Sequence, residues 1–372
     1  MKILFIVTRN PLKNGSADQI TTYHAISYLK QIGKDVHLCV LYATPFSNIF
    51  SWISIIFRAI FLGIPLQVGM YYNTRNIQLI TNLLNKHLYF ERVYVHLIRG
   101  MVASKLIDKK EIYLGMQLSQ GLNFSRIAKE LPFGFKKLLY KFESKLCYQY
   151  EKQISKRVKK VNFVGTTDIS YLKLKNLTSV TMVPHGISQT FKNPTNIIGD
   201  LIFLSNLKSE ANQAACIFLV TKVMPIIVKS YPDITLSICG KNTPCSFYNF
   251  ANKNIRVVGE VDNALVAVAK HRICLNPVVA AAGMQNKVLT GLASGVPVIT
   301  IEQAVAGMDL PYETCFKTQS DSYSFATEVL RVLENYPTDA TLQDVKSRVK
   351  KDWSWDHLHA KWTRDFLDLE TS

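Results

Sequence analysis

The stretch of sequence that says most about the fold is 273–300, ICLNPVVAAAGMQNKVLTGLASGVPVIT. A strand-length apolar segment opens it and another, 296–300, closes it, with a helical pattern between two glycine-containing turns. Gly283 precedes the helical pattern and Lys287 falls in its first turn. Free backbone N–H groups at a helix start, with a lysine beside them, form an anion site suited to a diphosphate. The stretch therefore predicts a strand–helix–strand unit that holds a phosphorylated ligand.

Strand-like and helix-like segments alternate along the rest of the chain. The strand candidates are short, rich in Val and Ile and apolar without clean alternation, which is typical of strands covered on both faces. These candidates are 3–7, 36–42, 93–97, 161–164, 180–183, 201–204, 234–239, 255–258, 273–275 and 296–300. Such alternation predicts an α/β protein with parallel sheets, which bind ligands at the carboxyl ends of their strands.

Length and composition predict two folded domains. The chain has 372 residues, of which 48% are hydrophobic and 19% charged, so each domain can bury its own core. The alternating pattern breaks near 184–186 and begins again at about 201. We therefore expect an N-terminal domain over 1–185, a second domain over 186–350, and a C-terminal helix over 351–372 that packs back on the first domain.

The net charge favours an anionic partner. The sequence has 44 Lys and Arg against 27 Asp and Glu, a formal charge of +17. Acidic lipid headgroups, phosphorylated small molecules and nucleic acid all fit this surplus, and a generally basic surface is the plainer alternative. Because no nucleic-acid recognition motif is present, we expect no nucleic-acid partner.

Cysteine usage and hydropathy predict a cytoplasmic protein. The seven cysteines form no C-x-x-C motif and several lie in apolar runs, so we expect reduced thiols and no structural zinc site. No secretory signal opens the sequence, and the longest apolar stretch, 49–62, includes Arg58. That stretch is shorter than the roughly 20 residues that a spanning helix needs, so we expect no membrane span.

Several motifs resemble the retaining GT-B glycosyltransferases of the group 1 (family 4) type. In that family a G-x-x-N-K-x-x-E-x-x-A-x-G-x-P-V-V pattern holds the nucleotide-sugar, and 283–298 is similar to it. Residues 183–187 resemble its V-P-N-G-V motif, and 204–212 resemble its G-N-L…P-N opening of the second domain. Residues 63–68 and 95–101 are similar to a subgroup that builds bacterial surface polysaccharides. The resemblance covers essentially the whole chain and implies two doubly wound, Rossmann-like domains facing across a cleft.

The sequence also departs from this family at acidic positions. Many members carry two glutamates eight apart in the donor site, where this chain has Ala282 and Thr290. A subgroup segment L-D-M-x-D-S-x-S corresponds to 114–119, with Gly115 and Leu118 replacing the aspartates. A threonine hydroxyl still hydrogen-bonds a ribose, though less strongly than a carboxylate. These departures leave open a catalytically impaired homologue that serves as scaffold or partner of an active transferase.

The resemblance implies roles for individual residues. Lys287 is expected to stabilise the charge that develops on the departing diphosphate. His96 and Arg99 follow a strand and are expected to contact the sugar or the acceptor, although a lone histidine there is often a structural, hydrogen-bonded residue. Gly15 lies in a loop that approaches the donor phosphate or is simply a turn before a helix. The expected donor-binding residues are Gly15, Ser205, Asn206, Lys208, Gly240, Val261, Gly283, Gln285, Asn286, Lys287 and Thr290.

A basic, aromatic run extends from 129 to 160. It contains ten Lys and Arg, three Glu and several interleaved aromatic residues. A basic amphipathic helix with aromatics indicates membrane-surface binding, and a solvated helix face is the alternative. We expect Lys136, Lys137, Lys141 and Lys145 to face the membrane or the acceptor. The apolar segment 49–62 either enters the same interface or belongs to the core.

Together these features predict a glycosyltransferase at the inner face of the plasma membrane. It would move a sugar from a UDP- or GDP-linked donor to a lipid-linked oligosaccharide or glycan acceptor in capsule, O-antigen or exopolysaccharide assembly. The resemblance implies retention at the anomeric carbon, with no cofactor and no metal requirement. An epimerase on a similar fold is a weaker alternative.

Overall fold

The computed structural model describes residues 1–13, 15–45, 47, 49–87, 89–187, 196–278 and 285–369. The chain divides into two compact units, of which one comprises Met1–Gly186 with Trp355–Ser372 and the other Ile187–Ser354. Each unit contains a six-stranded parallel sheet. The predicted fold class, α/β with two Rossmann-like domains, is confirmed.

The sheet of the first unit has the strand order β2-β1-β3-β4-β5-β6. Its strands are β1 Lys2–Val7, β2 Asp35–Val40, β3 Arg92–His96, β4 Ile112–Gln117, β5 Lys160–Phe163 and β6 Val180–Met182. The associated helices are α1 Ala17–Gln31, α2 Ile49–Leu62, α3 Leu66–Gly69, α4 Thr74–His87, α5 Gln120–Glu130, α6 Phe135–Ser155 and α7 Thr166–Tyr171. Helices cover both faces, so central strands such as β1 are buried without alternation.

The sheet of the second unit has the strand order β12-β11-β10-β7-β8-β9. Its strands are β7 Gly199–Leu204, β8 Leu236–Cys239, β9 Ile255–Gly259, β10 His271–Asn276, β11 Val298–Ile301 and β12 Cys315–Thr318. Its helices are α8 Glu210–Phe218, α9 Met224–Ser230, α10 Ala264–Ala269, α11 Asn286–Ala293, α12 Glu302–Val305, α13 Ser322–Glu334 and α14 Asp339–Asp352. The residues 273–300 thus supply β10, α11 and β11, as their pattern predicts.

A final helix, α15 Trp355–Asp365, returns the chain to the first unit. Its Trp362 ring packs edge-on against Tyr94, with 5.4 Å between the ring centroids. Arg92 donates through Nε to the carbonyl oxygen of Leu367 (3.0 Å), and Lys160 pairs with Asp368 (2.5 Å). Aromatic packing and hydrogen bonds to the strands therefore anchor the C-terminal segment to the first sheet.

Two apolar helices bear on the membrane predictions. The segment Glu210–Ser230 is long and apolar enough to cross a membrane, but Leu219 and Val223 within it are fully buried in the core of the second unit. It is therefore accounted for as a core helix. Helix α2, in contrast, leaves Phe50 85% exposed and Phe61 68% exposed, so the interpretation of 49–62 as core is wrong.

Candidate functional site

The strand order of the second sheet creates a topological switch point. Strand β7 lies between β10 and β8. The chain therefore adds β8 and β9 on one side of β7 and β10, β11 and β12 on the other side. Ligands of open α/β sheets bind in the crevice at the carboxyl ends of such strands. Here β7 runs into Ser205 and Asn206, and β10 ends at Asn276.

Lys287 brings a buried positive charge to this edge. Its Nζ donates to Oδ1 of Asn212 (2.8 Å) and lies 5.9 Å from the centroid of the Phe203 ring. Burial lowers the pKa of Lys287 to about 8, with the nearby Cys274 acting weakly in the other direction. Because its hydrogen-bond partner is a neutral amide, the structure offers this charge little compensation, and an anionic ligand would supply it.

A network of amides connects Lys287 to the loop after β7. Asn212 Nδ2 donates to the carbonyl oxygen of Asn206 (2.7 Å). Oδ1 of Asn206 in turn accepts from the backbone N–H of Lys208 and from Nδ2 of Asn242, each at 3.0 Å. The Lys208 side chain is exposed and does not join this network. The loop is thus fixed by its own Asn206 side chain, by Asn212 of α8 and by Asn242 of the loop after β8.

Three buried polar atoms near these elements have no hydrogen-bond partner within the described residues. They are Oγ of Ser205, Oδ1 of Asn276 and Oδ1 of Asn286. Buried polar atoms are nearly always satisfied in native proteins, so such a cluster calls for an explanation. A polar ligand at the carboxyl ends of β7 and β10 would provide the missing partners.

Gly240, which follows β8, allows the close approach of two loops. It has φ +150°, and a Cβ atom there would lie 1.6 Å from the carbonyl oxygen of Ser205. Only glycine fits, because the contact is with backbone rather than with a movable side chain. The backbone at 240 therefore packs directly against the loop that carries Ser205 and Asn206.

Within the described part of the chain, the remaining predicted donor residues do not join this hydrogen-bonded network of amides. Thr290 donates its hydroxyl to the carbonyl oxygen of Asn286 in its own helix (2.9 Å). Gln285 is the N-cap of α11, and its backbone N–H points to Sδ of Met308 (3.4 Å). Val261 follows β9 and is half-buried. Gly283 lies outside the described residues.

A hydrogen-bonded chain of neutral side chains occupies the carboxyl edge of the first sheet. Nδ1 of His96 is bonded to the Tyr94 hydroxyl (2.8 Å), which accepts a long bond from Nε2 of Gln117 (3.5 Å). Nε2 of His185 donates to Oε1 of Gln117 (2.5 Å). Burial lowers the pKa of His96 to about 3 and that of His185 to about 4, so both rings are neutral at physiological pH. Nε2 of His96 is buried without a partner among the described residues.

Strain and close packing mark the same edge. Leu97 and Gln117, each at the end of a strand, have φ of 67° and 66° although neither is glycine. Gly115 on β4 lies beneath Tyr94, since a Cβ atom there would be 2.2 Å from the Tyr94 hydroxyl oxygen. An aspartate at this position would collide with that ring. The replacement of the family's first aspartate by Gly115 thus has a packing reason in this chain.

Arg99 and Gly15 have local structural contacts. Nε of Arg99 donates to Oε1 of Gln67 (3.0 Å), which connects the turn after β3 to α3. A Cβ atom at Gly15 would lie 2.8 Å from Cβ of Gln19, whose amide oxygen accepts from the backbone N–H of Ser16 (3.1 Å). The plainer interpretation of Gly15 as a turn before α1 accounts for these contacts, and the ligand roles of both residues stay predictions.

The four predicted membrane-side lysines all lie on α6. Nζ of Lys137 donates to the carbonyl oxygen of Leu131 (2.6 Å), whereas Lys141 and Lys145 line an exposed groove. The basic run from 129 to 160 is not one helix, because it begins at the end of α5 and finishes in β5. Among the described residues no group of three or more metal-ligating side chains is present, and metal independence stays a prediction.

Sequence reasoning missed several residues of these edges. Asn212 and Asn276 were not predicted as site residues, although Asn212 falls in the part of 204–212 that resembles the family's P-N pair. Tyr94 and Gln117 also escaped prediction. Tyr94 lies two positions before His96 on β3, a spacing that places both side chains on the same face of the strand, whereas the pairing of β3 with β4 brings Gln117 to them.

Comparisons with known proteins agree with this architecture. Residues 199–335, within the second unit, match the family described as glycosyl transferases group 1. No curated protein sequence matches the chain.

Several solved structures share the whole fold. A sucrose-phosphate synthase from Thermosynechococcus elongatus is 13% identical with a TM-score of 0.69, and the match covers 99% of both chains. HepE of Anabaena, solved with UDP and glucose, is 11% identical with a TM-score of 0.62 over 99% of this chain and 100% of its own. A glycosyltransferase from Rickettsia africae is 13% identical with a TM-score of 0.63 over 99% and 98% of the two chains. The group 1 domain and the shared GT-B fold together indicate that this chain is a glycosyltransferase.

Proposed function

We propose that this glycosyltransferase moves a sugar from a nucleoside diphosphate-sugar to a lipid-linked or glycan acceptor at the cytoplasmic face of a membrane. The observation that carries the donor assignment is Lys287, a buried ammonium group whose hydrogen-bond partner is an amide. Burying a charge is costly unless an opposite charge accompanies it. A diphosphate meets that need, and the unsatisfied oxygens of Ser205, Asn276 and Asn286 offer acceptors for donor hydroxyl groups.

The proposed reaction needs no acidic side chain of the protein as a general acid or base. Departure of the sugar from the donor leaves negative charge on the diphosphate, which a fixed cation such as Lys287 stabilises. His96, with a pKa of about 3, is too weak a base to take the acceptor proton at neutral pH and serves as a hydrogen-bonding group. We therefore propose a front-face transfer with retention, in which a donor phosphate oxygen takes the proton from the acceptor hydroxyl as the new glycosidic bond forms.

The acceptor side of the proposal rests on the first unit. Motifs at 63–68 and 95–101 resemble those of transferases that build bacterial surface polysaccharides. Helix α6 combines lysines with exposed aromatic side chains, of which Phe135 is 81% exposed. This combination supports a role in capsule, O-antigen or exopolysaccharide assembly, where acceptors carry a lipid.

The first experiment is thermal unfolding of the purified protein with UDP, GDP, ADP or CMP. A nucleotide at about 100-fold its dissociation constant adds roughly 2.7 kcal/mol to the free energy of unfolding. We expect one nucleotide to stabilise the protein and to identify the donor class. Stabilisation by none of them would contradict the donor site and favour a scaffold role instead.

The second experiment addresses the stereochemistry. The donor identified by thermal unfolding is incubated with lipid-linked or soluble glycan acceptors, and the anomeric configuration of the product is read by NMR. We expect the configuration of the donor to be kept. An inverted product would refute the front-face route.

A further inference from the structure

Helix α2 presents an apolar face that none of the described residues of the first unit covers. Phe50, Ile53, Phe57, Ile60 and Phe61 recur at helical spacing and are 85%, 60%, 55%, 60% and 68% exposed. The helix carries a single charged residue, Arg58, which is turned to Tyr72 and donates through Nη1 to its carbonyl oxygen (3.0 Å). An exposed apolar face of this length marks an interaction site rather than ordinary surface.

The helix is held firmly on the domain. Ile55 and Ala59 on its other face are buried. Gly69 of α3 packs so closely that a Cβ atom there would lie 3.1 Å from Cγ2 of Ile55. Helix α2 is therefore a fixed element with one buried side and one exposed apolar side.

Helix α3 connects α2 to the basic helix α6. The buried carboxylate of Glu143 on α6 accepts from the backbone N–H groups of Leu66 (2.9 Å) and Gln67 (3.1 Å), which begin α3. A side-chain cap of this kind satisfies N–H groups that have no partner within the helix. The three helices thus form one connected platform on the first unit.

Helix α6 carries an apolar stripe and a basic stripe side by side. Phe135, Leu138 and Phe142 are 81%, 51% and 42% exposed and follow each other at helical spacing. Lys141 and Lys145, one turn apart, occupy the neighbouring line of the helix. An apolar surface with an edge of cations matches the boundary between acyl chains and charged headgroups.

A groove of about 740 Å³ lies on the basic side of α6. It is lined by Lys129 of α5, Lys141 and Lys145 of α6, Lys173 after α7, and the rings of Tyr148 and Tyr171, and the described side chains of its lining include no acidic one. Four lysines around one groove concentrate positive charge there, and this charge attracts an anion. The lysine amines and the tyrosine and serine hydroxyls are donors suited to phosphate oxygens.

We propose that this platform docks on a membrane, with the apolar face of α2 inserted among the acyl chains and the four-lysine groove bound to the phosphate headgroup of an anionic lipid. A lipid is the ligand favoured by the structure, because it alone offers a phosphate next to an apolar body. A free phosphate or a nucleotide would leave the faces of α2 and α6 unused. The inference deepens the membrane location in the proposed function, and it does not depend on the donor site.

The headgroup site is tested by co-sedimentation with vesicles of phosphatidylcholine alone and of phosphatidylcholine with phosphatidylglycerol. The variant replaces Lys129, Lys141, Lys145 and Lys173 with Gln. Its control makes the same charge change in the second unit, at Lys222, Lys229, Lys253 and Lys317, all exposed. Each lysine near an anionic surface is worth about fivefold in partitioning, so we expect a loss on the order of several hundredfold for the groove variant. Equal losses for both variants would show that only net charge matters and would overturn the groove.

The insertion of α2 is tested with Ile53→Gln, Phe57→Gln and Phe61→Gln combined. These side chains are more than half exposed, so the change should not disturb folding. The control replaces Ile217, Val258 and Tyr323, which are exposed apolar residues of the second unit, with Gln. Each inserted side chain contributes about tenfold or more, so we expect the α2 variant to bind weakly and to be released by salt, while the wild type retains binding in high salt.

Other occupants give distinct results. If the α2 face joins two copies of the chain, light scattering without vesicles shows a dimer that the α2 variant dissociates, and vesicle binding is absent. If inorganic phosphate at matched ionic strength removes the whole increase in vesicle binding that phosphatidylglycerol produces, the groove is a site for free anions. Both results overturn the proposal. Nucleotide-induced stabilisation of each variant, measured without lipid, reports separately on the donor site.

Discussion

The buried ammonium of Lys287 predicts a pH dependence of nucleotide binding. In the free protein its pKa is lowered to about 8 by burial, against an ordinary value of 10.5. A bound diphosphate favours the charged form and raises the pKa again. Nucleotide binding should therefore take up a proton above pH 8, and the affinity should fall as pH rises.

The size of the effect follows from the two protonation states. At pH 9 roughly one-tenth of the free protein has a charged Lys287, if its pKa is about 8, whereas at pH 7 nearly all of it does. If the bound form keeps its proton, the dissociation constant rises about tenfold from pH 7 to pH 9. The phosphates do not contribute, because their last pKa is near 6.

Isothermal titration of the preferred nucleotide at both pH values measures this change, and buffers of different ionisation enthalpy report the proton uptake. The Lys287→Met variant should bind the nucleotide on the order of a hundredfold more weakly than the wild type at pH 7. Because it lacks the titrating lysine, its affinity should not change between pH 7 and pH 9 through any group of the protein. Its residual pH dependence reports any titration of the nucleotide base itself. Lys229→Met, at an exposed position on α9, is the matched control and should behave as the wild type. A wild-type affinity that is constant from pH 7 to pH 9, or a Lys287→Met variant with the same tenfold change, would refute the reasoning.

Three further changes test the packing and hydrogen bonds of the two edges. Gly115→Ala places a Cβ atom 2.2 Å from a buried hydroxyl oxygen, so chemical denaturation should show a loss of about 1–3 kcal/mol, and an unchanged stability would contradict the packing argument. His96 and His359 have pKa values lowered to about 3 by burial, so the stability that they contribute is present above about pH 6.5 and is lost as pH falls. The free energy of unfolding at pH 7 should exceed that at pH 5 by about 2 kcal/mol for each histidine. The substitution His359→Phe should reduce this difference by about 2 kcal/mol. Asn286→Ala should weaken nucleotide binding by about tenfold and more than Thr290→Ala, because the Asn286 amide oxygen has no partner in the described part of the chain while the Thr290 hydroxyl is bonded within its helix. Equal affinities of the two variants in titration would contradict this.

The periodic parts of the fold could be predicted from the sequence. Each of the ten strand candidates overlaps a strand, because Val- and Ile-rich runs of this length suit buried parallel strands. Two strands escaped prediction. Strand β4, IYLGMQ, has a glycine and a methionine where β-branched residues are usual, and β12, CFKT, contains a lysine and neither Val nor Ile.

The candidate site was predictable only in part, because local motifs identify loops but not the partners that tertiary structure brings to them. Residues 273–300 correctly placed Lys287 in the first turn of a helix after β10. Its contact with Asn212, 75 positions away in the sequence, depends on the pairing of β7 with β10. The solvent exposure of α2 could not be predicted either, because its apolar run has the composition of a core helix.

The departure at Gly115 from the acidic pattern of the family that the sequence resembles has a structural reason. At Gly115 the space of a carboxylate is taken by the Tyr94 ring, and the hydroxyl of that ring holds His96 in a neutral, buried form. The two histidines at this edge of the first unit, His96 and His185, are neutral and are weak bases, because burial lowers their pKa values to about 3 and about 4. Such weak bases agree with the proposed front-face transfer, in which the acceptor proton goes to a phosphate oxygen of the donor. The phosphate oxygen that receives it also carries the charge of the breaking bond, so the cation that compensates this charge becomes the main catalytic contribution of the protein. Lys287 is the residue of the second unit that we propose for this role, because burial lowers its pKa to about 8 and its hydrogen-bond partner Asn212 carries no charge.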